Sequence, residues 1–257
     1  MSLLAIVYHL VPEAPILVAF NREEPTDRVY PVPSIQSGKP RILASMDPQT
    51  GGTNLGVNQN GLLVGLVRRR NRNGAITTRS RGSLAREMLR SRSAEQAIDL
   101  ANRELSTGLY GPVSLVAADS DFGWVIESAT EIRTKELEQG LQIIGEMGLD
   151  NPRDDRSRMA HRLLTLQTLD SPVKFLAVAS KVLARTSPDP RRPSMIIREP
   201  GYGTISSTLI SLGSKPRDAI YQYSNGAPDQ NKFEDFSPML RDILSRGLRE
   251  SRAQAKA

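Results

Sequence analysis

MSLLAIVYHLVPEAPILVAFNREE, residues 1–24, sets two apolar runs on either side of a proline-bearing turn. Leu3 to Tyr8 and Ile16 to Phe20 have the composition of strands. The VPEAP between them supplies the prolines that end pairing, so the stretch is expected to fold as a hairpin. A core strand that begins at the second residue puts the start of the chain indoors. No lysine or arginine precedes Arg22, and His9, Pro12 and Glu13 break the apolar run. The stretch therefore does not have the form of a secretory leader, and a cytoplasmic, soluble protein is expected.

The 257 residues suffice for a sizeable core and are read as one domain, residues 1–257, with a frayed tail over 249–257. No apolar stretch approaches the length needed to cross a bilayer. Cysteine is absent, which excludes a disulfide framework, a thiolate metal site and a thiol nucleophile. Histidine occurs only at His9 and His161, which argues against imidazole-based catalysis and against a zinc site; no metal and no bound cofactor are expected. The formal charge of +6 favours anionic partners. Its densest part, Arg68, Arg69, Arg70 and Arg72 followed by Arg79 and Arg81, has no aromatic residues interleaved, so it reads as a solvated loop face, with no specific nucleic-acid site.

Further along, Ile42 to Met46 reads as a strand and Asn54 to Val67 as a hairpin turning at Asn58-Gln59-Asn60-Gly61. Leu84, Met88 and Leu89 mark a helix. Ser93 to Gln96 has the form of a capping box opening a second one, with Ala94, Ala97, Ile98, Ala101 and Leu105 on one face. Val113 to Ala118, Trp124 to Glu127, Ile132 to Leu137 and Leu141 to Ile144 read as a sheet meander. Helices are expected over Asp154 to Leu166 and Pro172 to Leu183. Late strands are expected at Met195 to Arg198, Ser207 to Leu212 and Ala219 to Tyr223. A final helix carries Phe236, Met239, Leu240, Ile243 and Leu244. Strands in bunches alternating with paired helices predict an α+β protein in which face-to-face sheets lie under outer helices.

Three stretches stand out: Asn21-Arg22-Glu23-Glu24, GGTNLGVNQNG from Gly51 to Gly61, and PGYGTISST from Pro200 to Thr208. With Ser80-Arg81-Gly82 and Gly148-Leu149-Asp150-Asn151 they resemble, in order and spacing, the motifs of the NRDE family, to which the transport and Golgi organisation 2 proteins belong. The resemblance extends over almost the whole chain. It implies an N-terminal-nucleophile hydrolase-like fold, a four-layer αββα sandwich of two stacked, mainly antiparallel sheets. The first residue of the mature chain then sits between the sheets. Removal of Met1 would leave Ser2 with a free α-amine, whose intrinsic pKa near neutrality lets it take the proton of its own hydroxyl.

By the same resemblance Ser2, Arg22, Glu23 and Asn151 are the catalytic candidates: nucleophile, cation, amine-orienting carboxylate and oxyanion donor. Asn21, Asn54, Arg68, Tyr202 and Ile205 are the candidates for lining the substrate pocket. The chain departs from the family pattern where cysteine is replaced by Ser2, aspartate by Glu23, tryptophan by Asn54 and arginine by Ile205. Each candidate also has a structural reading: Arg22, Glu23 and Glu24 as a surface ion-pair cluster, Asn151 as a helix cap, Tyr202 as a turn residue. Two functions stand. One is hydrolysis of a small non-peptide amide through Ser2. The other is non-catalytic carriage of haem or an acyl lipid in an eroded pocket, with His9, His161, tyrosine or methionine as the only axial ligands for haem. The oligomeric state is not legible.

Overall fold

The computed structural model describes residues 2–70, 78–189 and 191–254. The opening hairpin forms as expected, but both strands run further than their apolar cores: β1 spans Leu3–Val11 and β2 spans Ala14–Pro25. The Asn21 to Glu24 motif therefore lies within a strand, not past its end. Next come β3 (Ser34–Gln36), a short strand in the proline-rich excursion that the sequence did not announce, β4 (Ile42–Ala44), β5 (Leu55–Asn58) and β6 (Leu63–Arg68). Helices α1 (Arg81–Met88) and α2 (Ala94–Leu105) follow, each started by a serine whose side chain accepts an amide from the first turn.

The chain returns to strands with β7 (Val113–Ala118), β8 (Gly123–Ser128), β9 (Ile132–Glu136), β10 (Gly140–Gly145) and β11 (Gly148–Leu149). The expected meander ends at β9, because β10 crosses to the other sheet and pairs with β1, Leu4 opposite Ile144. Helix α3 (Asp155–Leu164) is capped by Asp154, and α4 (Pro172–Leu183) has the bounds predicted. Last come β12 (Arg198–Glu199), β13 (Tyr202–Leu212), β14 (Ile220–Ser224), β15 (Glu234–Asp235) and α5 (Ser237–Gln254). Of the strand expected from Met195, only Arg198 pairs. Helix α5 continues past Arg249, where fraying was expected.

The strands form two antiparallel sheets. One has the order β11-β10-β1-β2-β13-β14-β15, with β12 also on β13; the other runs from β3 to β9 in chain order. Their facing sides share one apolar core, in which Leu4, Ile6, Val18 and Phe20 meet Val57, Leu63, Val67 and Val116. On the outer side of the first sheet, Leu3, Ala5, Leu17 and Ala19 pack under Phe175, Ala179 and Leu183 of α4. On the outer side of the second, Val64, Leu66 and Leu115 pack under α1 and α2. The architecture is thus the expected αββα sandwich. Strands β1 and β2 are buried on both faces, which is why they read as continuous apolar runs without alternation.

Helix α5 closes one flank, with Leu240 and Ile243 in the inter-sheet core. It comes so close to the β5–β6 turn that a Cβ on Gly247 would lie 1.9 Å from the Gln59 carbonyl oxygen. A glycine-to-alanine change inside a helix ordinarily gains about 0.5–1 kcal/mol. Gly247→Ala is expected instead to cost about 1–3 kcal/mol, as overpacking does. Equilibrium urea unfolding of the variant reads the sign.

Candidate active site

Register and pleat place the candidates. Leu3 lies opposite Asn21 and Leu4 opposite Phe20, so Ser2 falls beside Arg22 at the head of the hairpin. Side chains of a strand alternate between faces. Ser2, Phe20, Arg22 and Glu24 thereby share the inter-sheet side, while Asn21 and Glu23 share the side under α3 and α4. Ser2 is 5% exposed, and its Oγ accepts a hydrogen bond from the main-chain N–H of Glu23 at 3.2 Å. An N–H aimed at the hydroxyl oxygen orients it and favours negative charge developing there.

The Asn21 to Glu24 motif is wholly buried, which overturns the surface ion-pair reading. Arg22 sits over Tyr30, its guanidinium carbon 3.5 Å from the ring centroid, and its Nε is 3.7 Å from Glu24. That Nε has no hydrogen bond. Burial pulls the Arg22 pKa below the usual arginine value, against the opposing influence of Tyr30 and Glu24. Glu24 also receives Arg68 Nη1 at 3.0 Å and Arg28 Nη1 at 3.8 Å, and Asn54 donates its side-chain amide to it at 3.1 Å. Arg68 is the last residue of β6 and turns inward, so the reading of the arginine run as a solvated face fails at its first member. Arg69 fails too, pairing with Glu127 at 3.6 Å, while Arg70 is exposed. Arg72 lies outside the described residues.

Glu23 is built into a separate network. Its Oε1 accepts from Arg156 Nη2 at 2.6 Å and from Thr204 Oγ1 at 3.1 Å. Arg156, from α3, also donates to the Met195 carbonyl. The Glu23 carboxylate is held by Arg156 and Thr204, and the main-chain N–H of the same residue is the group that donates to Ser2 Oγ. Burial raises the Glu23 pKa above the ordinary glutamate range, Arg156 opposing. Asn21 is spent on the same side: its amide donates to the carbonyls of Leu183 and Met195, and its oxygen accepts from Ser207. The Tyr202 hydroxyl donates to the Glu23 carbonyl at 3.2 Å, and burial pushes its pKa up to about 12.

Asn151 neither caps α3, a task Asp154 performs, nor has a hydrogen bond to Ser2. Its amide donates to the Met147 carbonyl at 2.9 Å and its oxygen accepts from the Arg153 N–H, closing a local turn. Ile205 is the extra residue of a bulge in β13, between Thr204 opposite Glu23 and Ser206 opposite Arg22. The sequence reading missed Arg28, Tyr30, Arg156 and Thr204. Among described residues no cluster of three or more histidines and carboxylates could hold a metal ion, and no helix is long and apolar enough to cross a membrane. Together Ser2 Oγ, its amide donor and the stacked Arg22 offer a hydroxyl, an orienting N–H and a cation at one end of the inter-sheet space.

A family model, transport and Golgi organisation 2, matches residues 1–224. Among curated proteins nothing matches. Solved structures do. An N-acylethanolamine-hydrolyzing acid amidase ortholog from Caenorhabditis elegans superposes with a TM-score of 0.56 at 17% identity, over 82% of this chain and 92% of that one. A mutant conjugated bile acid hydrolase from Clostridium perfringens gives 0.52 at 11% identity, over 93% of each chain. At such identities the likeness establishes the fold, that of the N-terminal-nucleophile hydrolases.

Arg156→Ala would leave the Glu23 carboxylate buried without its cation, and a loss of about 3–5 kcal/mol is expected in urea unfolding. The raised Glu23 pKa adds a pH dependence of known sign. The folded chain keeps a proton that the unfolded chain releases, so stability falls as pH rises from the ordinary glutamate range towards the elevated value. Glu23→Gln is expected to flatten that slope, read by denaturation across pH.

Proposed function

The chain belongs to the transport and Golgi organisation 2 family, and from that membership we propose that it hydrolyses a small non-peptide amide through Ser2. The observation that carries the proposal is the position of Ser2: buried between the sheets, with an N–H on its Oγ and Arg22 as its neighbour across the hairpin. Loss of Met1 frees the Ser2 α-amine. The amine takes the Oγ proton as Oγ attacks the amide carbonyl, and the tetrahedral intermediate collapses with that proton passing to the leaving amine. Water then cleaves the Ser2 ester and releases the acid. Arg22 serves as the cation that orients the amine or steadies the oxyanion, its plane held by Tyr30. Glu23, tied to Arg156, acts as a positioning residue that fixes the main chain donating to Ser2. The similar structures include, by name, an amidase of N-acylethanolamines and a conjugated bile acid hydrolase, which supports amides with a long apolar acyl part as first substrates to try.

One observation favours the second reading, a non-catalytic carrier of acyl lipid. Ile205 and the tied amide of Asn151 remove two polar groups that the family resemblance expected at the site. Haem fits less well, since His9 lies towards the far end of β1 from Ser2 and both histidines are exposed.

Intact-mass measurement is expected to find Met1 removed, and an acylating amide probe is expected to label the wild type but not Ser2→Ala. A retained or acetylated terminus would rule out Ser2 as a self-activating nucleophile. No label combined with saturable acyl-lipid binding would instead favour the carrier.

A further inference from the structure

A second space opens at the other end of the sandwich. Ile16 lies opposite Tyr8, and the rise of a strand puts that pair about 20 Å from Ser2. Beside it is a cleft of about 950 Å³, within the range of about 300–1,000 Å³ usual for small-molecule sites. It is lined by the β1–β2, β3–β4 and β5–β6 turns, the β13–β14 connection and α5. Its inner part is aliphatic. Ile16 and Leu212, partners across β2 and β13, belong to the inter-sheet core, and Leu244 and Leu248 of α5 carry the apolar surface outward. Leu248 is left 42% exposed. Among the described residues no phenylalanine, tyrosine or tryptophan lines the cleft, so it offers an aromatic ligand no such ring to stack on.

The rim is cationic. Lys39, Arg90 and Arg92 line it, and the one carboxylate in the lining, Glu250, is already held by Gln59 Nε2 at 2.8 Å and Arg41 Nη1 at 3.5 Å. Arg90 has Glu87 at 3.5 Å, whereas no carboxylate among the described residues pairs with Lys39 or Arg92. The two arginines stand on a fixed loop. Asn58, fully buried, donates its side-chain amide to the carbonyls of Leu89 and Ser91 at 2.9 and 2.8 Å, which ties the α1–α2 connection to the β5–β6 turn on both sides of Arg90. A backbone ordered in advance removes part of the entropy cost of binding. We propose that this cleft binds a small amphipathic anion, its aliphatic chain along Ile16, Leu212 and Leu248 and its carboxylate or phosphate head at Lys39 and Arg92. The cleft is separate from Ser2, so the proposal stands whether the Ser2 pocket hydrolyses its ligand or carries it.

The probes are octanoate, octyl phosphate, neutral 1-octanol, and the chainless anions acetate and inorganic phosphate, titrated by calorimetry. Octanoate or octyl phosphate is expected to bind more tightly than octanol, and whichever of the two is tighter identifies the head group. Acetate and phosphate are expected not to bind measurably, because the chain supplies most of the affinity. Lys39→Gln and Arg92→Gln are each expected to weaken the anion by about threefold to fivefold, the scale of an exposed ion pair, and to leave octanol unchanged. Ser251→Trp, on the exposed side of α5 that lines the cleft, is expected to abolish binding of all three chain-bearing probes. Arg162→Gln, which removes the same charge from the outer layer of helices, is expected to change nothing. Equal affinity for octanol and both anions, or no binding of either anion, would overturn the proposal. So would binding that persists in Ser251→Trp and in both glutamine variants, since the ligand would then lie elsewhere, the Ser2 pocket included. The glutamine variants change exposed side chains and decide the matter if Ser251→Trp does not fold.

Discussion

The two-residue pleat of β2 governs everything at this end of the molecule. Four consecutive polar residues, Asn21 to Glu24, are dealt alternately to two environments: Arg22 and Glu24 to the space between the sheets, Asn21 and Glu23 to the floor beneath the helices. A slip of one residue in the β1–β2 register would exchange the two sets and set Asn21 or Glu23 beside Ser2. The register is held by the apolar residues above the motif, since Val18 and Phe20 belong to the inter-sheet core and Leu17 and Ala19 to the core under α4. The hydrophobic pattern of the hairpin thus determines which polar groups meet.

The two faces solve the problem of buried charge differently. Under the helices Glu23 has a short ion pair with Arg156 and a threonine hydroxyl, an arrangement that resembles a rivet between α3 and the sheet. Between the sheets a single glutamate serves three arginines, with an asparagine amide and a tyrosine ring as neutral support. The first network is balanced and holds the main chain that donates to Ser2. The second gathers three guanidiniums on one carboxylate, one of them shared with Asp47.

Much of the fold was legible because its signals are local. The bounds of α4 follow from Ser171-Pro172 and the apolar stripe after it, and the hairpin from two apolar runs around prolines. The spacing of the glycine-containing motifs pointed to the family. The site was less legible because its partners are distant in sequence. Nothing near Arg156 separates it from Arg153, Arg158 or Arg162; only the face of α3 and the packing of that helix on β2 choose it. Arg68 looked like the start of a solvated run because a strand that ends in a charge is indistinguishable, in one dimension, from a loop that begins with one. Strand β2 was read as ending at Phe20 for a related reason: its polar continuation is tolerated indoors through partners distant in sequence, among them Arg68, Arg156, the Met195 carbonyl and Thr204.

The bulge in β13 has a consequence for how this end of the sheet can vary. Ile205 sits between two paired residues and has no counterpart on β2, so the ladder on either side closes whatever side chain it carries. A position exempt from strand pairing can change its side chain while the ladder on either side, Thr204 opposite Glu23 and Ser206 opposite Arg22, stays intact. The hydrogen-bonded ladder thus places less constraint on residue 205 than on its two paired neighbours.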